Sequence, residues 1–230
     1  GRTDPLTIYG PDWVHEFVRT LRHVARFNLK FPMESVELAP GSWARFDGYT
    51  ITAFAANHGI PALGFVLEED ARPGRFNREG AIALGVPPGP LFGRLQRGET
   101  VKIGTGSDQR EVRPDQVMGK ARPGRKIVYT GDTRALSLSG LDIAKDADIL
   151  IHDATYDETE TVRAAEFFHA TASQAGEAAT ALGARALALI HISSRYQDTG
   201  AHVSDAQKKY SGTIIVPSDL DMLEVGFRDE

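Results

Sequence analysis

The sequence predicts a layered α/β domain, and three observations carry the prediction. From Lys126 onward, short apolar runs alternate with helical stretches, the pattern of strands connected through helices. The runs in "KIVYTGD", "DILIHDATY" and "ALALIHISSRY" look like buried strands. Each closes on polar side chains: Asp132 in the first, His152 and Asp153 in the second, His191 in the third. In an open α/β sheet the carboxyl ends of strands are where ligand sites are built. The chain has 230 residues, 41% of them hydrophobic, enough for one sizeable core and a small appendage.

Taken in order, "PLTIYGP" (5–11) reads as a short buried strand closed by Gly-Pro. Asp12 then stands as the N-cap of a helix over "DWVHEFVRTLRHVARF", whose Trp13, Val14, Phe17, Val18, Leu21, Val24 and Ala25 recur at helical spacing. His15 and His23 on this helix are expected to be exposed. Over 36–67 the pattern turns to period two and short runs, read as three or four strands with turns at Gly41 and Gly48. His58 lies in "NHGIP", between "YTITAFAA" and "ALGFVLEE". Residues 70–125 are dense in Gly, Pro and Arg and read as an arm or long insertion, not as core. Arg72, Arg75, Arg78, Arg94 and Arg97 outnumber the acids around them, a composition that also suits a solvated loop. Beyond "KIVYTGD" and "DILIHDATY", helical stretches cover 159–168 and "ASQAGEAATALG", ending at Gly183. Strand "ALALIHISSRY", helix "VSDAQKKY" and strand "TIIVPSD" complete the chain, without internal repeats.

A net charge of −5 does not suggest non-specific binding to nucleic acid or membrane, but it leaves local basic patches open. The chain has no cysteine, so any metal must sit on histidine and carboxylate ligands. This usage is compatible with a cytoplasmic protein. No apolar run approaches the roughly 20 residues of a membrane helix.

An aspartate at a strand tip ordinarily caps a turn, and a single histidine there is ordinarily structural. Asp132, His152, Asp153 and His191 at strand tips, with His58 on a loop and His169 at a helix start, form a constellation instead. Together they point to a His/carboxylate metal site suited to zinc, with a carboxylate able to bridge two ions.

The segments "GRTDPLTIYGP", "NHGIPALGF", "GVPPGPLFGRLQRGE", "PGRKIVYTGDTR", "LIHDATY", "HATASQAGEAA" and "HISSRYQ" occur in order across nearly the whole chain. In them the sequence resembles ribonuclease Z, the tRNA 3′-processing endonuclease family of the metallo-β-lactamase superfamily. The resemblance implies a four-layer αββα sandwich and a zinc-dependent endoribonuclease that removes 3′ trailers from tRNA precursors. It further implies two zinc ions per active site, bridged by Asp132, with His58 ligating one ion and His191 the other. His169 matches the family's non-ligand histidine beside the scissile phosphate, and Arg195 is placed to meet a phosphate oxygen. His152 and Asp153 are assigned to orienting the site. His202 matches no motif and is expected to be exposed. Residues 70–110, inserted in a single domain over 1–230, correspond to a flexible arm that grips tRNA through Arg72, Arg75, Arg78, Arg94 and Arg97. A homodimer, in which one subunit's arm serves the other's site, is also implied.

The family's His-x-His-x-Asp-His motif is absent: the chain contains no His-x-His. That motif supplies most remaining ligands, so the expectation is of a fold lacking its N-terminal part, with neither zinc fully ligated by this chain alone. The missing strands would leave apolar sheet surface uncovered. Two further readings stay open: a shortened, non-catalytic homologue that binds RNA or a partner, and a related phosphodiesterase acting on a small substrate.

Overall fold

The computed structural model of the chain describes residues 2–25, 29–136 and 141–228. They divide into two compact units, 1–69 with 125–230, and 70–124.

The larger unit is built on a seven-stranded mixed sheet. Its strands are β3 (Trp43–Phe46), β4 (Tyr49–Ala56), β5 (Ala62–Glu69), β8 (Lys126–Tyr129), β9 (Ile149–Asp153), β10 (Ala186–Ile190) and β11 (Thr213–Ile215), in spatial order β11-β10-β9-β8-β5-β4-β3. Strands β8 to β11 are mutually parallel, and β5 runs against β8 and β4. The continuous apolar runs of β9 and β10 follow from this central placement: Ile149, Leu150, Leu187, Ala188 and Leu189 are all buried.

Helices α5 (Ala172–Ala181) and α6 (Gly200–Gln207) share the main core with the strands: Ala172, Ala175, Ala178, Ala179 and Ala206 join Leu150, Leu187 and Leu189. Small residues allow this close approach. A Cβ on Gly176 would come within 2.7 Å of the Ala206 carbonyl oxygen. A capping box between Thr171 and Gln174 starts α5. Helix α4 (Thr161–Glu166) lies within the helical stretch expected at 159–168.

The first strand, β1 (Leu6–Gly10), pairs in parallel with β2 (Met33–Glu37), and among the described residues the two form a separate two-stranded sheet. Helix α1 (Val14–Ala25) buries Val14 and Val18, whereas Trp13, Phe17, Leu21 and Val24 stay exposed. Arg26 and Phe27, at the end of the predicted helix, lie outside the described residues. Tyr9, Phe46, Ile51, Phe65, Leu67 and Tyr129 line an apolar cavity of about 400 Å³. Among the described residues no helix is long and apolar enough to cross a membrane.

Residues 70–124 differ from the reading of this stretch as lacking a core. Helices α2 (Arg78–Ala83) and α3 (Pro90–Gln96) and a hairpin of β6 (Val101–Ile103) with β7 (Arg110–Val112) enclose a cluster of their own. Ala81, Val86, Leu95, Val101, Ile103, Val112 and Val117 are buried in it, flanked by Phe76 and Phe92. The apolar positions are spread singly among Gly, Pro and Arg, so no periodic run betrays them.

Two further expectations are corrected. His202, expected at the surface, is completely buried, its ring edge-on to Tyr196 at 4.5 Å between centroids. The run "ALALIHISSRY" stops being a strand at Ile190, because His191 has φ +59°, which extended chain does not allow.

Candidate metal centre

Strands β4, β8, β9 and β10 point the same way, since β4 and β8 both run against the β5 that separates them. Their carboxyl ends therefore meet at one edge of the sheet. His58 follows β4, Asp132 follows β8, Asp153 is the last residue of β9, and His191 is the first after β10. His169 enters the same place from the turn before α5. The structure thus brings five residues of the predicted constellation to one edge and gives each a defined neighbour.

Ligand atoms of Asp132, His169 and His191 all lie within 4.8 Å of one another, with His191 Nε2 3.6 Å from Asp132 Oδ2. The His169 and His191 rings stack at 4.9 Å, and the His58 ring lies 5.2 Å from that of His169. Asp132 and His191 keep 46% and 45% of their side-chain surface exposed, so the cluster opens to solvent.

Asp153 organises it from beneath. Its fully buried carboxylate accepts from Thr133 N at 3.0 Å, Thr155 N at 2.9 Å, Thr155 Oγ1 at 2.8 Å, Ala170 N at 3.4 Å and His169 Nδ1 at 2.8 Å. A buried charge is sustained when its lone pairs are taken up in this way. The network also fixes tautomers. A carboxylate only accepts, so His169 carries its proton on Nδ1. His58 Nδ1 lies 2.9 Å from the Phe168 carbonyl oxygen, also an acceptor only, so it too is protonated there. The Thr155 hydroxyl gives its hydrogen to Asp153 and accepts at 2.8 Å from His191 Nδ1.

All three imidazoles are therefore anchored through Nδ1 and leave Nε2 with a bare lone pair. Metal-binding histidines are prepared in this way, the outer hydrogen bond setting ring orientation and basicity. The donor atoms that converge are those of Asp132, His169 and His191, with the His58 ring next to that of His169; nitrogen and oxygen donors of this kind suit a divalent ion such as zinc.

Phe168 and His191 both hold positive φ, +62° and +59°, a conformation that costs a non-glycine residue about 1–3 kcal/mol and collects at functional sites. His152 donates from Nδ1 to the Asp153 carbonyl at 2.7 Å and makes no hydrogen bond to Asp132, His58, His169 or His191 among the described residues. It is completely buried, which pushes its pKa down, and its Nε2 has no hydrogen-bond partner among the described residues. Of the pair assigned to orienting the site, the contacts to the cluster are made by Asp153. Arg195 donates from Nε to Ser193 Oγ at 3.0 Å and lies 5.2 Å over the Tyr156 ring, itself 6.4 Å from the His169 ring.

Within the smaller unit, Arg94 and Arg97 flank Glu99 at 2.8 and 3.2 Å. The hydrogen bond from Arg94 is the main cause that holds the Glu99 carboxyl below its ordinary value. Arg72 donates to the Pro123 carbonyl at 3.4 Å and bridges to Arg122. Arg75 receives the Gly119 N–H on its carbonyl, and Arg78 opens α2 with its side chain exposed.

Sequence reasoning missed Thr133, Thr155, Arg134 and Phe168. The threonines in "GDTR" and "HDAT" were the available signal, since each stands two residues or fewer from a strand-tip aspartate.

The family model of the beta-lactamase superfamily domain matches residues 104–192 of the chain. Among solved structures, the metallo-beta-lactamase fold protein YhfI of Bacillus subtilis superposes with a TM-score of 0.59 at 16% identity, over 93% of this chain and 61% of that one. The short form of human tRNase Z gives a TM-score of 0.61 at 20% identity, over 98% of this chain and 70% of that one. Fold and site together define a protein of the metallo-β-lactamase fold with a histidine–carboxylate centre at its sheet edge. Ribonuclease Z of Methanosarcina acetivorans is 45% identical over all of this chain, which covers 74% of that protein. That of Myxococcus xanthus is 41% identical over the same shares. The chain belongs to the ribonuclease Z family.

Proposed function

We propose that this protein is a zinc-dependent endoribonuclease that cleaves tRNA precursors 3′ of the discriminator base, leaving a 3′-hydroxyl on the tRNA. Family membership supports the endonuclease and its tRNA substrate, and the convergence of Asp132, His169 and His191, with the His58 ring beside that of His169, is the observation that carries the metal. Asp132 would bridge two ions, with His58 and His191 as ligands of one each. Bound there, zinc lowers the pKa of a coordinated water toward neutrality and screens charge on the phosphate.

The chain's own groups do the rest. His169, held on Nδ1 by Asp153, has only Nε2 free to give a proton to the departing ribose oxygen, and the Asp153 carboxylate stabilises the imidazolium that precedes this transfer. The exposed Arg195 guanidinium is suited to a phosphate oxygen. Arg72, Arg75, Arg78, Arg94 and Arg97, in a unit with its own core, suit the RNA backbone, which is bound by charge without reading sequence. A homodimer and a cytoplasmic location belong to the same reading.

Two substitutions test it on a labelled tRNA precursor. Asp132→Ala should abolish both metal binding and cleavage, and retained cleavage would remove its bridging role. His169→Ala should keep the metal while slowing cleavage about 10²–10⁴-fold, the usual worth of a general acid. Loss of metal there would make His169 a ligand.

A further inference from the structure

Arg134 touches no group of the metal centre, yet it joins the segments that carry three of its residues. Its backbone N–H donates to the Asn57 carbonyl at 2.9 Å, and the Asn57 N–H donates to Thr133 Oγ1 at 3.0 Å. The turn after β8 is thereby zipped to the residue preceding His58. The guanidinium donates from Nη2 to the Ala165 carbonyl, and its central carbon lies 4.0 Å from the centroid of the Phe168 ring. Its Nε is buried and makes no hydrogen bond among the described residues, where the Ala165 carbonyl and the Phe168 ring are what hold the group.

Phe168 is an unlikely residue to stay in place unaided. Its φ of +62° is strained for a side chain with a Cβ, and without restraint it relaxes toward the ordinary region. The ring also depends on Gly59, where a Cβ would come within 3.0 Å of it. The Phe168 carbonyl, oriented by that strained backbone, is the acceptor for His58 Nδ1 at 2.9 Å.

We infer that Arg134 is a positioning residue: by clamping the Phe168 ring it holds the carbonyl that sets the tautomer and orientation of His58. The inference rests on the reading of His58 as a metal ligand, but its direct consequence does not require a metal. His191 is oriented by Thr155 and His169 by Asp153, neither of which Arg134 contacts. The clamp therefore acts on one imidazole of the three.

Nitrogen-edited NMR of the imidazole Nδ1–H groups, at low temperature and without metal, tests this. In the unsubstituted chain His58, His169 and His191 should each show a hydrogen-bonded Nδ1–H. Arg134→Ala should lose the His58 resonance to exchange and keep those of His169 and His191. Phe168→Leu, with Arg134 intact, should give the same pattern. Arg134→Lys retains a donor for Ala165 but no planar group to lie on the ring, and should follow Arg134→Ala. A His58 resonance that survives in Arg134→Ala and Phe168→Leu overturns the inference, and so does rescue by lysine. Loss of all three resonances together would also overturn it, since Arg134 would then be a general structural residue. In parallel, zinc affinity should fall about tenfold in Arg134→Ala, the usual effect of removing an outer partner. A lost His58 resonance with unchanged zinc affinity upholds the clamp and removes His58 from the ligand set.

Discussion

Histidine is the residue whose chemistry this chain separates most sharply by place. His58, His169 and His191 each spend Nδ1 on an acceptor and keep Nε2 free, whereas His152 and His202 are completely buried. Their sequence neighbourhoods do not tell these groups apart: His152 and His191 both follow an apolar run, and only the left-handed turn at His191 brings it out beside Asp132. The hydrogen bond from His169 Nδ1 to Asp153 was equally hidden, because it joins residues 16 apart through a fold. Burial lowers the pKa of both His152 and His202, in the latter against the pull of Asp157 and Asp205. Above about pH 6.5 neither folded nor unfolded chain protonates these rings, and pH has no hold on stability through them. Below it the unfolded chain takes up protons that the fold refuses, so stability falls as pH falls, by up to about 1.4 kcal/mol per pH unit for each ring. Urea midpoints should therefore be lower at pH 5.5 than at pH 7.5. His202→Phe, which keeps a ring beside Tyr196, should flatten that dependence by about one proton's worth. An unchanged slope would mean that His202 protonates within the fold.

Among the elements, those with strong patterns were legible and those assembled from scattered residues were not. Strands β8, β9 and β10 announce themselves as unbroken apolar runs, and α5 by its capping residues and alanines. The core of 70–124 escaped notice because helices of six and seven residues and strands of three are too short to show a period. The sheet itself shows how this unit can be tested. Glu68 pairs with Lys126 across β5 and β8, and the Glu69 N–H donates to the Arg125 carbonyl at 2.9 Å. Residues 69 and 125 therefore stand opposite each other as the last pair of a hairpin. Replacing 70–124 by a two-residue Asn-Gly turn matches that geometry. The larger unit should keep its cooperative melt. Cleavage of a tRNA precursor should fall about tenfold or more relative to cleavage of a chromogenic small phosphodiester, because the arginines meet only a long polyanion. Equal losses on both substrates would count against an RNA-gripping role for the unit.

For the whole molecule the decisive quantity is how many metal donors one chain assembles. Two four-coordinate ions that share one carboxylate and one solvent oxygen still need about four further protein donors. Seven histidines are available. His152 and His202 are buried apart from the cluster, and His15, bound to Ser35, lies on α1 with His23. That leaves His58 and His191 as the proposed ligands beside Asp132, about two donors short, or about one short if His169 were recruited as a third. The 230-residue chain by itself is therefore expected to hold zinc weakly and at well under two ions per chain, measured by elemental analysis after dialysis against micromolar zinc. Asp132→Ala should remove what binding there is, since it takes away the only carboxylate in the cluster of Asp132, His169 and His191. A value near two that is lost in Asp132→Ala would show that the outstanding donors reach the site from a second copy of the chain. The metal content should then rise and fall with protein concentration across the dimerisation range, because a site shared between copies is filled only while they are associated.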